Sequence, residues 1–325
     1  MEPSDVFADD LRCGFSVVRL ASSLRRTGRL GPGADCAFTA AHPPSTLTRQ
    51  SVHLSEGTQS NYHRRVPGVT VRELETIAEM HAVSDLLAAV WGKNDEGVPM
   101  PSEVLRGLVH AGGLVNGAYD GETLVGAAAL GRAGPGECYS FIAAARPGLS
   151  DRGIGFGLKQ HQRTWALARG LHTMFWTFDP LVARNARLNL TKLGATVDDY
   201  ELGFYGVMSD ELNGHDRADR LVPRWRLDSE RAAAAEAGAL AEPAAPSGTV
   251  QILADGPVSQ PAYFASNAER WIRIPHDIVA LRPSDPAQAS AWRERLAEWL
   301  PAAFADGWVA DGVTRDSLYH LRPTT

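Results

Sequence analysis

A run of glycines between an apolar segment and a helical pattern constrains this chain more than any other feature. Phe141 to Ala145 is apolar, a turn with Pro147 and Gly148 follows, and Gly153, Gly155 and Gly157 then stand at alternate positions. Leu158, Trp165, Leu167 and Ala168 recur at roughly helical spacing up to Arg169-Gly170. A strand therefore runs into a glycine-rich turn that opens a helix. Such a turn presents unpaired backbone N–H groups at the positive end of a helix dipole, which suits a pyrophosphate. Glycine lets the phosphates approach the backbone. The same spacing also serves plain structural turns, and on this motif alone both readings stand. The spacing is not that of a Rossmann turn, and Asp179, which ends the next apolar run, is followed directly by Pro180. No Gly-Lys-Ser or Gly-Lys-Thr closes the turn, which excludes a Walker loop.

The 325 residues suffice for one large domain or two smaller ones. Hydrophobic content of 44% and charged content of 22% are those of a globular protein. With a net charge of −6 and no basic run beyond Arg25-Arg26 or Arg64-Arg65, nucleic acid is not an expected partner. No apolar run approaches a membrane span, so no membrane partner is expected either. Cys13, Cys36 and Cys138 are odd in number and lack metal spacing. They predict reduced thiols, a cytoplasmic location and no metal. Richness in Ala, Arg and Gly suggests a GC-rich bacterial genome.

Residues 1–67 read as a disordered extension, broken by Gly31-Pro32-Gly33 and Pro43-Pro44. Glu2, Asp5, Asp9 and Asp10 at its start argue against a secretory signal. From Val69 the chain becomes regular. A strand at 69–74 precedes a helical stripe through Ile77, Met80, Val83, Leu86, Leu87 and Val90. A second helix, capped by Ser102, ends at Gly112-Gly113. Strands follow at 114–119, 124–130 and 138–145, then the glycine turn and its helix, then a strand at 172–178. Pro180 begins a helix ending at Gly194, and strands at 200–207 and 221–227 close the domain at 68–228. This order is α/β (α+β) in class: a mixed sheet flanked by helices. An Ala/Pro-rich linker at 229–248, starting as a helix, leads to a small α+β region at 249–325. That region has strands near 250–253, 270–274, 308–313 and 318–321 and a helix near 288–304.

This order, with Arg152-Gly153-Ile154-Gly155 opening the central helix and Asn185…Lys192-Leu193-Gly194 behind it, resembles the GNAT superfamily of acyl-CoA N-acyltransferases. Within it, the chain looks most like a bacterial branch of predicted acetyltransferases. Leu158-Lys159, the run Trp176-Thr177-Phe178-Asp179-Pro180-Leu181, Arg184-Asn185-Ala186, Tyr205-Gly206 and Asp219-Arg220-Leu221 carry that likeness, which spans about 69–321. The resemblance implies a mostly antiparallel central sheet and a co-substrate site, for acetyl-CoA or another acyl-CoA, across a splayed pair of strands. It implies that the strand bearing Ala143 and Ala145 serves the pantetheine arm. The turn of Ser150, Asp151, Arg152, Gly153, Ile154, Gly155 and Gly157 then takes the pyrophosphate, and Asn185 holds the pantetheine or a water. Ser150 stands where the family usually has a basic residue or Gln, and Leu190 where many members have the tyrosine that protonates the departing thiolate.

Acyl transfer to an amine needs a base for the amine, donors for the oxyanion and an acid for the thiolate. Asp179, at a strand end, is the first candidate base; its alternative is to cap the Pro180 helix. Tyr205 is the preferred acid, with a packed aromatic as the alternative. The expected reaction moves an acetyl or succinyl group to a small-molecule amine or amino acid. The other readings are a non-catalytic acyl-CoA-binding module and a scaffold. The C-terminal region is expected either to cover the acceptor mouth or to form a homodimer interface.

Overall fold

The computed structural model describes residues 68–92, 97–149, 152–206, 217–245 and 263–324. The extension expected at 1–67 and the strand expected near 250–253 lie outside them. β1 (Val69–Glu73) leads into α1 (Ile77–Trp91) and α2 (Ser102–His110). β2 (Leu114–Asp120), β3 (Thr123–Gly134) and β4 (Glu137–Ala145) form a meander, followed by α3 (Ile154–Leu167) and β5 (Thr173–Phe175). A short α4 (Ala183–Ala186) continues as a π-helix, Arg187–Lys192. β6 (Tyr200–Glu201), β7 (Arg220–Leu221), β8 (Arg224–Arg226) and α5 (Glu230–Glu236) come next. The C-terminal region holds β9 (Tyr263–Ala265), β10 (Arg270–Arg273), α6 (Ile278–Ser284), α7 (Pro286–Ala305), β11 (Trp308–Val313) and β12 (Leu318–Pro323).

The main sheet has the order β1-β2-β3-β4-β5-β8. Every pairing in it is antiparallel except β4 with β5, which is parallel. A second sheet, β11-β12-β10-β9, is wholly antiparallel. The fold is therefore mixed α/β with a mostly antiparallel central sheet flanked by helices, as the sequence leads one to expect.

Local chemistry explains the element ends. At the start of α1, Thr76 and Glu79 form a reciprocal capping box: Glu79 N–H donates to Thr76 Oγ1 at 3.3 Å and Thr76 N–H donates to Glu79 Oε2 at 2.9 Å. For α2 the expected cap is displaced by one residue. Pro101 is the N-cap, without a side-chain bond, and Ser102 is the first helical residue. α1 and α2 cover one face of the sheet through Met80, Leu87 and Leu105. α3 covers the other through Ile154 and Leu158. Its close approach requires Gly126 on β3, where an added Cβ would lie 2.5 Å from Ile154 Cγ2 and 2.9 Å from the Ala144 carbonyl.

The chain after β5 departs from the sequence reading. The ladder stops at Phe175, and only an isolated bridge, Phe178 to Leu221, continues it. The helix expected from Pro180 starts at Ala183, because the Asp179 carboxylate accepts from Leu181 N–H and makes a turn there instead. The expected linker carries α5, capped by Ser229, with Ala232 and Ala235 buried. Arg231 from α5 donates to the Gly194 carbonyl at 3.1 Å.

The C-terminal region shares its core with the main sheet. Trp165, Met174, Phe178 and Trp225 belong to the same buried cluster as Trp292, Leu296, Tyr319 and Leu321. Val197 and Ala310 exchange backbone hydrogen bonds at 2.9 and 2.8 Å, and Thr191 Oγ1 both donates to and accepts from Val313 backbone at 2.8 Å. Tyr319 donates its hydroxyl to the Pro180 carbonyl at 2.9 Å. The strongest link is ionic. Arg293 of α7, 1% exposed, grips Asp179 with two nitrogens at 2.8 and 3.0 Å, and Arg282 of α6 joins them.

Removing one member of a buried pair strands the other charge, a loss of about 3–5 kcal/mol. Asp179→Ala should therefore lower urea-unfolding stability by about that amount at pH 7. Burial alone would raise the Asp179 pKa, but the guanidinium groups of Arg293 and Arg282 hold it well below the usual carboxylate range. Its contribution is complete above the unfolded carboxylate value of about 4 and is lost as pH falls further. The gap between wild type and Asp179→Ala should hold steady from pH 7 to about 5 and close in stronger acid.

Candidate functional site

β4 and β5 begin as partners and then part. They pair at Glu137–Thr173, Cys138–Met174 and Tyr139–Phe175. Beyond that last pair, β4 runs on to Ala145, held by β3 on one side only among the described residues. The other edge of Ser140 to Ala145 therefore presents N–H and C=O groups with no strand to take them. Ala143 and Ala145, expected to meet a pantetheine arm, both lie on this segment. A fork opens between it and the chain leaving β5 at Trp176.

The glycine turn lies past the end of β4. Gly153 adopts the left-handed conformation (φ 76°, ψ 10°) and is the N-cap of α3. No side chain caps the helix, and its first turn carries no acidic residue. The first hydrogen bond of the helix runs from Gly157 N–H to the Gly153 carbonyl. The N–H groups of Ile154, Gly155 and Phe156 precede it and have no intrahelical acceptor. Ile154 is buried against the sheet, while Gly155 and Gly157 are partly exposed. Arg152 pairs with Asp120 at 3.2 Å, both well exposed, so the contact adds little stability and leaves the guanidinium reachable. Ser150 and Asp151 lie outside the described residues.

The two faces of the fork differ. On one, the Tyr205 hydroxyl and Thr177 Oγ1 are 2.8 Å apart, the Arg220 guanidinium lies 5.0 Å over the Tyr205 ring, and Tyr139 joins them. Burial pushes the Tyr139 hydroxyl pKa above the usual tyrosine value. On the other face lies α3. Ser140 donates to Gln162 Oε1 at 3.0 Å, and the Lys159 ammonium sits 3.7 Å from the Trp176 ring centroid. Burial lowers the Lys159 pKa to about 7 and raises that of the nearby Cys138 thiol to about 12.

The structure separates the two expected catalytic residues. Tyr205 stands in the hydroxyl cluster, half-buried. Asp179 is 5% exposed, with both oxygens bound by arginines and one also accepting from Leu181 N–H. A carboxylate held this strongly in its charged form has no proton affinity to offer a substrate amine, so the reading of Asp179 as base is corrected to that of an anchor. Asn185 is buried on α4, and Leu190, on the π-helix, is fully buried core. Sequence reasoning singled out neither Thr177 and Tyr139 nor Lys159 as site residues. The signal for Lys159 is its place on the buried stripe of α3, between Leu158 and Gln162. Among the described residues no cluster suited to a metal occurs, and no helix is long and apolar enough to cross a membrane.

No family model and no curated protein matches the chain. Solved structures do. An IAA acetyltransferase from Bacillus cereus is 18% identical, covering 48% of this chain and 98% of its own, with a TM-score of 0.39. The ribosomal-protein-S18-alanine N-acetyltransferase from Escherichia coli is 16% identical, covering 50% and 95%, with a TM-score of 0.41. An acetyltransferase from Bacillus subtilis in complex with CoA is 18% identical, covering 48% and 98%, with a TM-score of 0.38. Superpositions this loose carry no argument. The chain's own topology is an antiparallel meander, a glycine N-cap opening α3, and a parallel β4–β5 pair that parts into a fork.

Proposed function

We propose that the protein is an N-acyltransferase that moves an acyl group from an acyl-CoA to an amine. The observation that carries this reading is the fork: an open β4 edge leading to an uncapped, acid-free start of α3. An extended pantetheine arm carries amide groups, which can pair with the free edge much as an added strand would. A pyrophosphate suits the helix start, where N–H groups and the dipole favour negative charge. The co-substrate supplies an activated carbonyl. The N–H groups of the β4 edge polarise that carbonyl and receive the charge that develops on its oxygen. The acceptor amine enters on the face of Tyr139, Thr177 and Tyr205, where the hydroxyls can align it.

With Asp179 committed to its arginines, no carboxylate of the hydroxyl cluster serves as base, and the amine loses its proton to solvent through these hydroxyls. Acetyl is the simplest acyl group for the site, and succinyl the alternative. A second reading, an acyl-CoA-binding module without transfer, draws on the burial of Leu190 where the resemblance puts a catalytic tyrosine.

Calorimetric titration with acetyl-CoA should show micromolar binding, and Gly155→Glu should weaken it at least tenfold by placing a like charge at the helix start. Unchanged affinity in that variant contradicts the assignment. Tyr205→Phe should slow acetyl transfer about tenfold or more while leaving acetyl-CoA affinity intact. Full activity in that variant removes Tyr205 from the chemistry.

A further inference from the structure

The root of the fork, on its α3 side, is rich in donors and poor in acceptors. Lys159 is 1% exposed, and its Nζ rests against the Trp176 ring, the first residue beyond the last β4–β5 pair. Among the described residues, the Cys138 thiol on β4 is the one titratable group whose charge bears on Lys159, and burial raises its pKa. Arg163, one turn along α3, is taken up by the Leu227 carbonyl and Glu236. Among the described residues no carboxylate pairs with Lys159. Two further buried donors close by, Trp176 Nε1 and Gln162 Nε2, have no acceptor.

An ammonium brings three N–H donors and no acceptor, and burying one without a counter-charge is costly. A cation–π contact recovers only part of that cost. Such an arrangement fits a site where negative charge arrives transiently. In acyl transfer that charge is the sulfur leaving group.

We propose that Lys159 is the proton donor to the departing thiolate at the root of the β4–β5 fork. The inference rests on the acyl-CoA reading above and supplies the acid that Leu190 cannot. As the carbon–sulfur bond breaks, its electron pair goes to sulfur and the Nζ proton follows, giving the free thiol. The carbonyl re-forms on the new amide. The proton shed by the acceptor amine passes to water, and water returns one to Lys159. Burial that lowers the ammonium pKa makes it a better donor near neutral pH.

The test uses coenzyme A itself and needs no acceptor. The ultraviolet thiolate band of bound coenzyme A is followed against pH, with ligand-free protein as the blank and free coenzyme A as the reference. In the wild type the bound thiol should ionise near pH 7 or below, well under the free thiol, because only there is Lys159 still a cation to face it. Lys159→Met keeps the volume of the side chain and removes the charge. It should abolish that shift while changing coenzyme A affinity by less than about threefold and leaving the protein at least as stable to heat. A wild-type thiol that ionises like free coenzyme A overturns the proposal without recourse to the variant. Persistence of the shift in a folded Lys159→Met also overturns it. If the wild type binds no coenzyme A, the acyl-CoA reading itself fails and the inference with it.

Discussion

The buried grip of Arg293 on Asp179 is the interaction on which the rest of the structure depends. Asp179 lies four residues past the end of β5, in the segment that leaves the sheet. Trp176 to Phe178 is a good strand sequence, yet among the described residues no ladder pairs it with β4. It is drawn away instead. Arg293 and Arg282 hold Asp179 toward the C-terminal helices, Tyr319 holds the Pro180 carbonyl, and Phe178 bridges to Leu221. A paired charge inside a protein is weak evidence for stability but good at fixing one arrangement over another. Here the segment it anchors is the one that leaves β4 after Phe175. The C-terminal region thereby anchors the chain leaving β5.

Once the fork is open, its two faces acquire different chemistry from ordinary strand alternation. Up to the bulge at Phe141, β4 side chains alternate between faces, so Cys138 and Ser140 meet α3 while Tyr139 turns to the other side and packs edge-on against Phe141 and Phe175. The α3 face gathers an ammonium and N–H donors. The opposite face gathers hydroxyls and aromatic rings. A thioester lying along β4 would have its leaving group on one side and its attacking amine on the other. The helix reaches this position only because Gly126 lets Ile154 settle against β3.

Much of this fold was legible in the sequence. The meander, α1, α2, α3 and the glycine turn follow from periodicity and turn residues, and the helix Pro286–Ala305 and its flanking strands were read within a few residues. The region after β5 was not. Periodicity assigns 172–178 to a strand, but the ladder ends at Phe175, next to an irregularity in β4 between Ser140 and Ile142. Pro180 suggests a helix start, but the Asp179 carboxylate spends itself on Leu181 N–H and two arginines more than 100 residues away in sequence. No local signal announces such a partner, and so a strand-end aspartate looked like a base. Tyr205 stands out in the sequence through the Tyr205-Gly206 run that carries the resemblance, and the structure sets its hydroxyl 2.8 Å from Thr177 Oγ1. Lys159 escaped because a lysine on a helix is usually solvated, and only the packing of Trp176 over it reveals otherwise.

The measurement that tests the central claim most directly is amide hydrogen exchange with and without coenzyme A. An open β4 edge that receives the ligand predicts slowed exchange confined to alternate residues of Ser140 to Ala145 and to the first turn of α3, with α1, α2 and the C-terminal sheet unchanged. Binding that leaves those amides as they were, or that protects another part of the surface instead, would contradict the fork as the acyl-CoA site.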